Sequence, residues 1–198
     1  MDDAAFAAAR PGYVAAGLAA RPGTAPVVLG REYDAIKDAR ATLANLSRLA
    51  SLCGAGRVTY LPCDITDLRL LSEGAAVIAG LVPRIDLLIN AAGLNRSAPI
   101  AAKTITEFRR IRDLKVRGYQ NLVQAFAGRR PARWYNFGSL LGVTGQVGEA
   151  DYASANDFLG LAAVHASAAG AVERTIGWTL WGEVGLGTNP LTKAYFEK

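Results

Sequence analysis

Ile85-Asp86-Leu87-Leu88-Ile89-Asn90-Ala91-Ala92-Gly93 is a short apolar run that stops abruptly in an asparagine, two alanines and a glycine. A run this short, bounded by small and polar residues, is the pattern of a strand buried on both faces. Similar runs occupy 26–30, 57–62, 132–138 and 172–180, and between them lie stretches of helical period at 32–53, 67–82, 104–127 and 151–169. Apolar residues there recur every three or four positions, as in Leu43, Leu46, Leu49 and Leu52, which predicts one buried stripe. Alternation of this kind predicts an α/β fold with a doubly wound parallel sheet, Rossmann-like in its winding. The alanine-rich opening at 3–20, broken by Pro11-Gly12, predicts one helix or two short ones.

At 198 residues and 51% apolar composition the chain is expected to form a single domain over 1–198. A chain of this size buries roughly 70% of its unfolded surface without disulfides or metal. Arginines and prolines interrupt every apolar stretch before it reaches the ~18–20 residues of a membrane span. The acidic start lacks the basic head of a secretory signal, so a cytoplasmic location is expected. Cys53, Cys63 and His165 make no metal-ligand spacing, and no metal is expected. The net charge is +5, from 22 basic and 17 acidic residues. The basic residues gather at Arg109, Arg110, Arg112, Lys115 and Arg117 and at Arg129, Arg130 and Arg133 with no aromatic residues between them. That reads as a solvated helix face rather than a nucleic-acid surface.

Open parallel sheets place their sites at the carboxyl ends of strands. The predicted strands end in Gly30-Arg31, Cys63-Asp64, Asn90 to Gly93 and Phe137-Gly138-Ser139. Singly, each is also ordinary strand-ending chemistry.

In order along the chain, these residues resemble the short-chain dehydrogenase/reductase family, and within it the ketoreductase domains of polyketide synthases. The resemblance rests on Leu87 to Gly93, Leu114-Lys115-Val116-Arg117-Gly118, Phe137-Gly138-Ser139 with Gly142, Gly145-Gln146, Asp151 to Asn156 and Gly177 to Gly182. It runs from about residue 13 to 188. The wider family has lysine four residues after its tyrosine, whereas the ketoreductase branch has asparagine there and lysine on the preceding helix. This chain has Asn156 and Lys115.

The resemblance implies Tyr152, Ser139, Lys115 and Asn156 as the catalytic set. Reducing a ketone needs a hydride at carbon, a proton for oxygen and stabilisation of the developing alkoxide. Tyr152 is the expected acid, Lys115 the cation expected to bring its pKa down, and Ser139, thirteen residues earlier, the group that holds the carbonyl oxygen. Asn156 lies one helical turn beyond Tyr152 and is expected to support a proton path. Each has a plainer reading alone: a satisfied helix face for Tyr152 and Asn156, a solvated residue for Lys115, a turn or cap for Ser139.

The expected cofactor is NADPH. Arg31, after the predicted strand at 26–30, stands where such folds place a cation for the 2′-phosphate, although Glu32 beside it has the opposite sign. The resemblance also implies Asp64 and Ile65 at the adenine, Asn90, Ala91, Ala92 and Gly93 as the cofactor wall, Lys115 and Tyr152 as further contacts, and Thr188 on the nicotinamide side. Asp64 equally suits a helix cap, and the small residues equally suit close packing.

Two elements of the family pattern have no counterpart in the sequence: a first strand with a glycine-rich phosphate turn, and a last strand behind a substrate lid. Around Gly12, Arg10 and Pro11 stand where that turn would lie. Leu94-Asn95-Arg96 replaces the leucine-aspartate-aspartate signature of one ketoreductase class, and Thr144 replaces the tryptophan of the other. The expected function is reduction of a β-ketoacyl group, held as a thioester on an acyl carrier protein, in polyketide or fatty-acid biosynthesis. The alternatives are a truncated or non-catalytic ketoreductase serving as an interaction partner, and a basic docking module for an acidic carrier.

Overall fold

The computed structural model describes residues 3–181. It divides into two compact units, Met1–Leu61 and Pro62–Lys198.

The first unit is helical. Helices α1 (Asp3–Ala8) and α2 (Arg10–Ala20) are the two short helices expected, and α3 runs from Pro26 to Cys53. The predicted strand at 26–30 is therefore helix. Pro26 occupies the first turn of α3, where a missing N–H costs nothing and a fixed φ favours the helix. Leu29 and Tyr33, one turn apart, are the buried face; Leu29 lies over Gly17, where a Cβ would come within 2.8 Å of it. Arg10 pairs with Asp34 and Arg21 with Glu32, and Tyr33 stacks on Phe6. The leucine stripe farther along is not buried: Leu43, Leu49 and Leu52 are exposed. Arg57 closes a short 3-10 turn and 58–62 is irregular, so the strand expected at 57–62 is absent too.

The second unit is the α/β body. Helices α4 (Leu68–Leu81), α5 (Ile105–Ala125), α6 (Leu141–Thr144) and α7 (Ala150–Ala168) accompany strands β1 (Leu88–Asn90), β2 (Trp134–Ser139) and β3 (Glu173–Trp178). The strands form one parallel sheet in the order β1-β2-β3, with Leu88 opposite Trp134 and Trp134 opposite Glu173. The three strands predicted in this unit are present, each shorter than its apolar run. Asp67 caps α4 by accepting from the N–H groups of Arg69 and Leu70. Thr104 and Glu107 form a capping box at α5.

Leu71, Tyr119, Leu122, Phe126, Trp134 and Leu159 join α4, α5, β2 and α7 in one apolar core. On α7 the buried residues Ala155, Leu159, Ala163 and Ala166 recur at four, four and three, and the alanines let the helix lie close to the sheet. A polar ladder crosses beneath it. Asn90 and Trp134 both donate to Asn136 Oδ1, at 3.1 and 2.9 Å, and Asn136 donates to Glu173 at 2.9 Å. All four side chains are buried. No helix among the described residues is long and apolar enough to cross a membrane, and no cluster there could hold a metal ion.

Candidate active site

Three elements bring the predicted catalytic residues together at the carboxyl end of the sheet. Ser139 is the last residue of β2, Tyr152 and Asn156 lie one turn apart on α7, and Lys115 comes from the middle of α5. The approach of α6 to α7 depends on Gly142, where a Cβ would sit 2.8 Å from backbone atoms of Asn156 and Asp157.

Ser139 Oγ accepts from the Leu141 N–H at 3.2 Å, so the hydroxyl is held at the start of α6. Asn156 is 3% exposed; its amide donates to the Tyr152 carbonyl at 2.7 Å, and its Oδ1 is buried with no donor. Lys115 is 4% exposed and its ammonium donates to the Phe137 carbonyl at 2.7 Å. Burial brings its pKa from 10.5 down to about 8.

The Tyr152 phenol moves the other way. Burial raises its pKa, hydrogen bonds from Ser139 and Asn156 act against that rise, and the Glu149 charge adds to it. The expectation that Lys115 would lower it is not what this environment does: its causes are burial, Ser139, Asn156 and Glu149. A phenol of this kind stays protonated at neutral pH and is a proton donor rather than a base.

The other predicted positions divide. Ala91, Ala92 and Gly93 form the bare loop after β1, and a Cβ on Gly93 would touch the Lys115 tip at 3.5 Å. The Asn90 side chain is committed to Asn136 within the sheet. Asp64 does not cap α4; it accepts from the Thr66 N–H and hydroxyl, both at 2.8 Å, and these bonds hold its pKa below the ordinary value. Ile65 packs against the core and over Gly118, and its carbonyl accepts from Asn121 at 2.9 Å. Arg31 lies within helix α3, so the strand end on which its phosphate role rested does not exist. Thr188 lies outside the described residues.

Sequence reasoning missed Glu149, Lys103 and Asp151. Glu149 is 2% exposed, pairs with the Ser97 hydroxyl, and leaves Oε2 buried without a donor. Lys103 and Asp151 form a buried ion pair beside Tyr152. The available signal was Glu149 and Asp151 so close before Tyr152 on a helix start; their partners, Ser97 and Lys103, lie about fifty residues away in sequence.

The chain has known relatives. The family model described as KR domain matches residues 12–183. The chain is 37% identical over 131 residues to erythronolide synthase EryA3 of Saccharopolyspora erythraea, covering 63% of this chain and 4% of that protein. It is 30% identical over 177 residues to polyketide synthase GfsB of Streptomyces halstedii, covering 88% of this chain and 3% of that protein. Among solved structures, an A1-type ketoreductase superposes with a TM-score of 0.65 at 28% identity, over 70% of this chain and 29% of that one.

Proposed function

The chain belongs to the ketoreductase (KR) domain family of polyketide synthases, and on that premise we propose that its site reduces a β-ketoacyl group to a β-hydroxyacyl group. The proposed reductant is NADPH, and the proposed substrate is a thioester carried on an acyl carrier protein. One arrangement carries this reading: Ser139 ends β2 at the carboxyl edge of the sheet, Tyr152 and Asn156 stand one turn apart on α7, and partial burial raises the Tyr152 phenol so that it keeps its proton at neutral pH.

Two features of the site fit the reacting end of a nicotinamide cofactor. The Ala91 to Gly93 loop is bare against the tip of Lys115, and the Asn156 Oδ1 is buried without a donor. When bound, the cofactor supplies the hydride. Lys115 and the backbone of Ala91 to Gly93 are the residues that would hold it, beside the Tyr152 phenol. Ser139 would donate to the substrate carbonyl oxygen and fix its direction. Tyr152 would pass its proton to that oxygen as negative charge develops there, so a neutral alcohol leaves. Lys115, its pKa lowered to about 8, would be charged at neutral pH, a cation beside the Ala91 to Gly93 loop, and water would return the proton to Tyr152.

The cofactor's phosphate end has less support, because Arg31 lies in a helix and Asp64 is tied to Thr66. That observation favours a second reading, in which the site residues persist in a domain that serves as an interaction partner. Absorbance at the nicotinamide band separates the two. The reductase reading expects oxidation of NADPH, in preference to NADH, when a β-ketoacyl thioester is added. No oxidation of either by the chain supports the second reading.

A further inference from the structure

Lys103 and Asp151 form an ion pair of a different kind from Arg10–Asp34 or Arg69–Glu73, which lie in solvent. Its side chains are 3% and 0% exposed. The Lys103 ammonium donates to both Asp151 oxygens, at 2.6 and 2.7 Å, and to the Arg96 carbonyl at 2.8 Å, so all three of its N–H bonds are used. Asp151 Oδ1 in turn accepts from the backbone N–H of Tyr152 at 2.9 Å.

These bonds join three parts of the site. Arg96 belongs to the loop that follows β1 and carries Gly93, Lys103 immediately precedes the Thr104 cap of α5, and Asp151 stands in the first turn of α7. A second tie runs in the same sense, from the Ala98 N–H to the Gly148 carbonyl at 3.1 Å.

A buried ion pair adds little stability over an apolar pair of the same volume, because desolvation offsets most of the attraction. What it supplies is direction: a carboxylate gripped by two bonds has one orientation, and its oxygen fixes the peptide that begins Tyr152.

We propose that Lys103 and Asp151 are positioning residues for Tyr152, a buried clamp that locks the start of α7 to the loop after β1 and to α5, and so sets where the phenol stands. The placement of Tyr152 is independent of the reductase reading; only the use made of the phenol rests on it.

The test labels the tyrosine Cζ positions with carbon-13 and follows their titration, with the Tyr152 signal identified by its loss in Tyr152→Phe. The variant is Lys103→Met with Asp151→Asn, which removes both charges, preserves volume and leaves no buried ion unpaired. The clamp predicts that the variant folds, that the Tyr152 signal shifts and titrates earlier as its burial lessens, and that the signal of Tyr119, buried in the apolar core, stays in place. A folded variant with unchanged Tyr152 overturns the proposal. So does equal movement of Tyr119, or a variant that cannot fold, since either makes the pair a support of the whole unit. If the unaltered chain fails to oxidise NADPH with a β-ketoacyl thioester, the reductase reading falls while this titration still decides the clamp.

Discussion

The Lys115 ammonium donates to the Phe137 carbonyl at 2.7 Å, one residue beyond the point where β1 stops pairing with β2 at Asn136. A buried cation therefore takes the place of a strand partner at the end of the sheet nearest the site. It satisfies a carbonyl that would otherwise be unpaired, and it pays for that in a depressed pKa.

That cost has a pH signature. Folded Lys115 loses its proton near pH 8, and an unperturbed lysine near 10.5. Between those values the unfolded chain binds the extra proton, so stability rises with pH, by roughly 3 kcal/mol in all. Above pH 10 the direction reverses, because buried Tyr119 and half-buried Tyr152 keep protons that the unfolded chain has lost. Urea unfolding at pH 7.5, 8.5 and 9.5 should show the rise in the unaltered chain and a flatter profile in Lys115→Met. Equal slopes would remove Lys115 as its source.

Gly142 is needed for contact rather than for backbone freedom. The atoms a Cβ would meet, at 2.8 Å, are backbone of Asn156 and Asp157, which cannot turn aside as a side chain could. Gly142→Ala should cost about 1–3 kcal/mol in thermal or urea unfolding. It should also move α6 away from Asn156, whereas Gly160→Ala, where nothing lies within 4 Å, should be neutral or stabilising.

Asn136 is the hub of the polar ladder. Asn136→Ala leaves the Asn90 amide and the Trp134 indole N–H without the acceptor they share, and takes one donor from the Glu173 carboxylate, which keeps Tyr119. Each buried group left unpaired costs about 1–3 kcal/mol, so the loss should exceed that of an ordinary core truncation. Calorimetric unfolding checks this, and a loss below about 1 kcal/mol would mean that water replaces the ladder.

Much of the second unit was legible because its signals are local. Asn90, Ser139 and Tyr152 each stand at the end of an apolar run or at a helix start, and the sheet forms around those runs. The first unit departs from its sequence pattern at Pro26-Val27-Val28-Leu29-Gly30, where four apolar residues fit a strand or the first turn of a helix equally well. Proline at that position was the helix signal, and the pairing of Leu29 with Tyr33 across one turn decided it. Leu43, Leu49 and Leu52 show the limit of periodicity: it marks an apolar face but not whether anything covers it. The clamp of Lys103 with Asp151, and Glu149 with Ser97, were illegible because no local pattern announces a partner about fifty residues distant.

Tyr152, as the proton donor, is the centre of the proposed chemistry. The most direct test compares the unaltered chain with Tyr152→Phe in two measurements on the same samples, NADPH affinity by fluorescence and oxidation of NADPH by a β-ketoacyl thioester. Affinities within about twofold and a loss of turnover of at least about a hundredfold, the scale of a lost general acid, are expected. A Tyr152→Phe chain that binds and turns over like the unaltered one would contradict that chemistry.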